Sequence, residues 1–170
     1  LNLAKADYCK EDISMHEVRL DELLLDVREL LLRAHADYSI ELLFSNDEDD
    51  DDRLITTIGN PYLLNIAFAN LIENNCKYST NHSSIVQISF RDQWSVVRMS
   101  DNGWGMSKED KKNIFKLFYR GENEKAADGH GIGMTLAQKI IHLHNGKIAV
   151  YSEQGRGTLF VVELKHISIK

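Results

Sequence analysis

The chain has 170 residues, 43% of them hydrophobic and 27% charged, one proline, and a formal net charge of −6. This is one domain of ordinary size, or one with a short appendage, able to bury roughly 70% of its unfolded surface without a staple. An acidic balance with no basic stripe argues against a nucleic-acid module, and no apolar run approaches the ~20 residues that cross a bilayer. Cys9 and Cys76 are far apart and belong to no C-x-x-C pair, which points to a reducing compartment with no disulfide or zinc framework. No signal peptide is visible. The chain starts at Leu1 rather than Met, so it reads as a piece of something longer.

Residues 1–12 are mixed, and "LNLAKAD" could close a helix that begins upstream. Leu20, Leu23, Leu24, Val27, Leu31 and Ala34 recur at helical spacing and predict an amphipathic helix over 20–34. "YSIELLF" reads as a strand. The acidic run "NDEDDDD" at 46–52 reads as a solvated loop, because like charges repel and the run lacks the spacing and Gly of an EF-hand. "RLITTIG" is a short strand, and Pro61 can take the first turn of a helix running to about Tyr78. "SSIVQISF" and "WSVVRMS" are strands joined by a turn at 91–93. After "DNGWGM" comes a polar segment with one apolar patch, Ile114, Phe115, Leu117 and Phe118. "DGHGIGM" opens a helix to Asn145, and a terminal hairpin follows across "QGRG". Helices mixed with hairpins predict an α+β fold, a largely antiparallel sheet with helices on one face.

Four places could carry chemistry. In "NLIENNCKYS", Asn74 and Lys77 fall within about 40° of Asn70 on a helical wheel, away from Leu64, Ala67, Phe68, Leu71 and Ile72. Two amide oxygens one turn apart can ligate a hard cation such as Mg²⁺, and an ammonium one turn on can meet phosphate. A polar helix end with a Glu73–Lys77 pair is the plainer alternative. "DNGWGM" sets Asp101, Gly103 and Gly105 after a strand, either as a simple turn or as a carboxylate that accepts a hydrogen bond from an exocyclic amine. "DGHGIGM" sets Gly129, Gly131 and Gly133 at a helix mouth, where anions are favoured; a flexible hinge explains it equally well. "GRGT" is, by itself, a hairpin turn.

The order of these segments is more specific than any one of them. "NLIENNCKYS", "DNGWGM", "IFKLFYRG", "GHGIGMTLA" and "GRGTLFVVEL" resemble the N, first glycine, F, second glycine and closing boxes of the ATP-binding catalytic domain of bacterial sensor histidine kinases, in the GHKL superfamily. The resemblance covers roughly residues 13–166. It implies a two-layer α/β sandwich, the Bergerat fold, with residues 13–170 as the catalytic domain and 1–12 as the tail of a preceding dimerisation helix. It implies Mg-ATP held between the N-box helix and a mobile lid. By position, Asn70 and Asn74 would lie on the Mg²⁺ side, Lys77 would meet phosphate and Tyr78 would line the nucleotide. Asp101 would take the adenine amine, with Gly103 and Gly105 beside the ring and Thr158 supporting that end. Gly131 and Gly133 would offer N–H groups to the phosphates, and Arg120 a further contact. Two departures, Asn75 where the family usually has Ala and Asn60 where it often has Asp, touch no ligand role.

Hydrolysing relatives such as DNA gyrase carry Glu at the position of Asn70, and an amide is no general base at neutral pH. Asn70 therefore favours phosphoryl transfer to an imidazole over self-sufficient ATPase activity; a degenerate kinase acting as an interaction module is the remaining alternative. "HEVRLD" at 16–21 imitates an acceptor-histidine box, but it lacks the Pro and lies too close to Asn70. The acceptor is expected on a dimerisation domain of the same protein, before Leu1. A response-regulator receiver domain would take the phosphoryl group in turn. The remaining histidines, including "HLH" at 142–144, read as helix-surface residues. A cytoplasmic fragment, without nucleic-acid or membrane contact, is expected.

Overall fold

The computed structural model describes residues 13–44, 55–121 and 131–167. The acidic run at 46–52, Gly129 and residues 1–12 lie outside them. The chain order is β1 (His16–Arg19), α1 (Leu20–Ala34), β2 (Ser39–Phe44), β3 (Thr56–Gly59), α2 (Pro61–Tyr78), β4 (Ser83–Arg91), β5 (Trp94–Ser100), α3 (Lys108–Asn113), α4 (Gly133–Leu143), β6 (Lys147–Ser152) and β7 (Thr158–Lys165).

Five strands form one sheet in the order β2-β4-β5-β7-β6. β2 and β4 run parallel, and every other neighbouring pair is antiparallel. Strand alternation sends Val86 and Ile88, Val97 and Met99, and Phe160, Val162 and Leu164 to one face, where all are buried. α1, α2 and α4 pack on that face, and Leu24, Val27, Phe68, Leu71, Ile72 and Ile141 complete the core with them. The result is the predicted two-layer α/β sandwich with a mixed, mostly antiparallel sheet.

The helical stripe of α1 is buried as its spacing predicts, apart from Ala34, which is exposed. "HEVR", too short to show a period, becomes β1. It pairs antiparallel with β3 in a separate two-stranded sheet. That sheet is tied to the end of β7 by Thr57 Oγ1 donating to Lys165 O at 2.7 Å. β3 therefore delivers the chain to the start of α2 from a fixed direction. α3 has its own start signal, a capping box in which Ser107 and Asp110 satisfy each other's backbone N–H groups. Among the described residues, no helix is long and apolar enough to cross a membrane.

Candidate functional site

α2 is the axis of the site, and its start is well fixed. Asn60 caps it by accepting from Leu63 N–H at 3.0 Å, and Pro61 fills its first turn. Asn60 N–H donates in turn to His144 Nε2 at 2.9 Å, while His144 Nδ1 lies 2.7 Å from Ile140 O. His144 is thus neutral with its proton on Nδ1, and burial pushes its basicity below the usual histidine range. The expectation of a surface histidine fails at this residue. α4 ends at Leu143, and the imidazole turns inward over Gly59, where a Cβ would collide with it.

Along α2 the polar stripe is half-buried at Asn70, Asn74, Lys77 and Tyr78, between core and surface. Asn70 Nδ2 donates to Ile66 O at 2.8 Å, which fixes the amide. Its Oδ1 lies against Gly133, the first residue of α4, so closely that any side chain there would strike it. At the far end, Tyr78 O accepts from Trp104 N–H at 3.3 Å, and Gly103 leaves room for that same carbonyl. Lys77 Nζ sits 5.6 Å from the Tyr78 ring centroid. Glu73 turns the other way and meets His35 Nε2 at 3.6 Å.

Asp101 follows β5 and is 9% exposed. Its Oδ1 accepts from Gly103 N–H at 2.7 Å, and its own N–H donates to Thr158 O at 3.0 Å. Burial pushes its carboxyl up to about 6, against hydrogen bonds from the Gly103 and Thr158 backbone that pull it down. One residue beyond the Ile85–Ser100 and Ser100–Leu159 pairs, and at the Ser152–Thr158 pair, Ser84, Asp101, Thr158 and Ser152 stand side by side across β4, β5, β7 and β6, all on the helix-covered face. The row beneath is apolar: Val86, Met99, Phe160 and Val150. The sheet thus changes from oil to hydrogen-bonding floor at one strand level.

Ser152 was not singled out by the sequence, yet it joins three segments. Its Oγ accepts from Met106 N–H and donates to Gly157 O, both at 2.8 Å, and lies 3.0 Å from Thr158 Oγ1. A polar residue breaking the apolar alternation of β6 is the signal that could have found it. Gly105 takes φ +65° and passes against Glu153 O, so the close approach at both Gly103 and Gly105 is to backbone. An open cleft of about 530 Å³ is lined by Asp101, Asn102, Lys111, Ser152, Arg156 and Thr158, among others. The α2 stripe and Gly131–Gly133 lie outside that lining. What joins the two ends is α2 itself.

The patch at 114–118 divides. Ile114 is buried, whereas Leu117 is 46% and Phe118 65% exposed. Phe118 has φ +61°, and its N–H donates to Gly131 O at 2.9 Å, while Thr135 Oγ1 donates to Phe115 O at 3.0 Å. The F-box turn is therefore bound to the mouth of α4, with half-buried Arg120 at its end. For a metal, the fixed amide oxygen of Asn70 is a hard donor of the kind Mg²⁺ takes. Among the described residues, no group of three or more His, Cys, Asp or Glu could hold an ion.

The chain is similar to known proteins. A family model described as histidine kinase-, DNA gyrase B-, and HSP90-like ATPase matches residues 59–167. The heme sensor protein HssS of Staphylococcus saprophyticus is 33% identical over 98% of this chain and 42% of its own length. The sensor histidine kinase RppB of Synechocystis is 29% identical over 88% of the chain and 32% of its own length. The signal transduction histidine-protein kinase ArlS of Staphylococcus aureus is 27% identical over 95% and 35%. The chain thus spans less than half the length of these relatives. In fold it matches the mycobacterial sensor histidine kinase MprB, with TM-score 0.76 at 20% identity over 92% of this chain and 100% of that one. It also matches full-length ShkA solved with AMPPNP, with TM-score 0.77 at 21% identity over 98% and 34%. With a family match over more than half its length, the chain belongs to the histidine kinase-, DNA gyrase B- and HSP90-like ATPase family.

Proposed function

We propose that this chain is the catalytic part of a sensor histidine kinase, which binds Mg-ATP and supplies its γ-phosphoryl group to a histidine on a dimerisation domain of the same protein. A response-regulator receiver domain would then accept the phosphoryl group. Residues 13–170 would make up the catalytic domain, and the fragment works in the cytoplasm. One observation carries the reading: a single helix touches both glycine segments, Gly133 through Asn70 and Gly103 through Tyr78. Eight residues of helix separate those contacts by about 12 Å, a span comparable to a nucleotide laid from base to terminal phosphate.

In this reading Asp101 accepts the adenine amine, with Thr158 and Ser152 behind it, and Tyr78 lines the nucleotide. Gly131 and Gly133 offer N–H groups at the start of α4, where the helix dipole favours phosphate. Arg120 adds positive charge to the same end, and Lys77, beside Tyr78 at the other end of the stripe, reaches toward the phosphates from there. Asn70 and Asn74 are the protein's ligands for Mg²⁺, which when bound supplies neutralisation of charge on the phosphates. Asn70 cannot deprotonate water, and Glu73, the nearest alternative carboxylate on the helix, is engaged with His35. The acceptor must therefore already be a nucleophile, as a neutral imidazole is. Steady hydrolysis is disfavoured for the same reason.

ATP titration with and without Mg²⁺ is the direct test. Affinity between millimolar and micromolar, roughly −4 to −8 kcal/mol, is expected. Labelled phosphate should pass from ATP to a supplied acceptor-histidine domain. Absence of binding in both titrations, or steady phosphate release by the chain alone, overturns the proposal.

A further inference from the structure

Asn75 has no part in the site described above, and the family motif gives it none. Its side chain is fully buried, on the face of α2 away from the polar stripe. Nδ2 donates to Ser84 Oγ at 3.3 Å. Oδ1 has no partner, and among the described residues it is the one buried side-chain nitrogen or oxygen of which that is true. A buried acceptor without a donor is costly, and alanine would remove the cost altogether. Reversing the amide does not help, since the orphan then becomes a donor.

The sheet register says where its partner Ser84 sits. Ile85 pairs with Ser100, so the next residues in the ladder, Ser84 and Asp101, stand one strand spacing apart, about 4.8 Å. The last turn of α2 closes over that end of the sheet: Cys76 is buried there, and Tyr78 O accepts from Trp104 N–H. Asn75 and Ser84 therefore form a second polar position beside Asp101, on the side opposite Thr158. An exocyclic amine brings two hydrogens. Asp101, with one oxygen anchored by Gly103, is the acceptor for one of them.

We propose that Asn75 is a specificity-determining residue of the base pocket, its Oδ1 accepting from one buried water that in turn accepts the second hydrogen of the purine amine. Ser84 holds the amide in place for that purpose. Guanine and hypoxanthine offer a carbonyl there and would leave two acceptors facing it. The inference rests on the ATP-binding reading and adds to it a residue that the motif leaves unassigned.

The test compares ATP with N6-methyl-ATP, which lacks one amine hydrogen, and with inosine triphosphate, on the parent chain and on Asn75→Ala. The parent should prefer ATP over the methylated analogue about 3- to 10-fold. Asn75→Ala should lose that preference by binding ATP more weakly, while inosine triphosphate changes little. Its melting temperature without nucleotide should hold or rise, because the orphan oxygen is gone. Ser84→Ala, which frees the amide, should shift the preference the same way and serves if Asn75→Ala does not fold. An unchanged ratio of ATP to N6-methyl-ATP affinity in the variant refutes the role of Asn75 and leaves the ATP site standing. A parent chain that binds none of the three nucleotides refutes the ATP site itself, and this inference with it.

Discussion

Replacing Asp101 by Asn should make the protein more stable and a poorer adenine binder at once. The carboxyl is 9% exposed, and burial lifts it from 3.8 to about 6. Between those two values the native state holds a proton that the unfolded state has lost, so stability falls as pH rises through that window. Above it, the ionised group costs at most about 3 kcal/mol, the free-energy equivalent of the gap. Asparagine keeps an acceptor for Gly103 N–H and removes the charge. The variant should gain about 1–3 kcal/mol at pH 7.5, raising the melting temperature by roughly 3–10 °C, and should gain little near pH 4. Thermal melts followed by circular dichroism at both pH values measure this directly. Isothermal titration should show ATP binding weakened about 10- to 100-fold, the range for a charge-assisted hydrogen bond. Equal stability of variant and parent at pH 7.5, or a gain of the same size at both pH values, would refute the argument from burial. A gain in stability with ATP affinity unchanged would refute the base-binding role alone.

Because ionised Asp101 is the stronger acceptor, ATP affinity of the parent should fall as pH drops below about 6, and Asp101→Asn should flatten that profile. Gly133→Ala drives a Cβ into the Asn70 amide oxygen; ATP binding should weaken at least about tenfold, ~1.4 kcal/mol, with the circular dichroism spectrum preserved. His144→Ala strands the Asn60 N–H at the start of α2 and should cost about 1–3 kcal/mol in urea unfolding at pH 7.5. His144 is held neutral with its basicity lowered from 6.5, so the stability it contributes is present above that pH and lost below it. The variant should accordingly show less acid sensitivity there.

The amino-acid sequence alone determined most of the elements and the family. α1 and α2 begin and end where apolar spacing, Asn60 and Pro61 put them, because a helix period and its cap are local properties. The five boxes were readable for the same reason: each is a short run whose backbone freedom or polarity stands out against its neighbours. Contacts between distant residues were not readable. Nothing local says that Asn70 will rest against Gly133, that His144 will turn inward over Gly59, or that half of the 114–118 patch will face solvent. Strand register decided that Ser84, Asp101, Thr158 and Ser152 share one row, and pairing between strands far apart in sequence depends on the whole sheet. The helix packed over that row then buried Asn75 with an unpaired oxygen, which the motif comparison had passed over. Residue types and order declared the kind of site; only tertiary packing set which atoms meet within it, because burial and hydrogen-bond partnership depend on chain segments that sequence distance does not bring together.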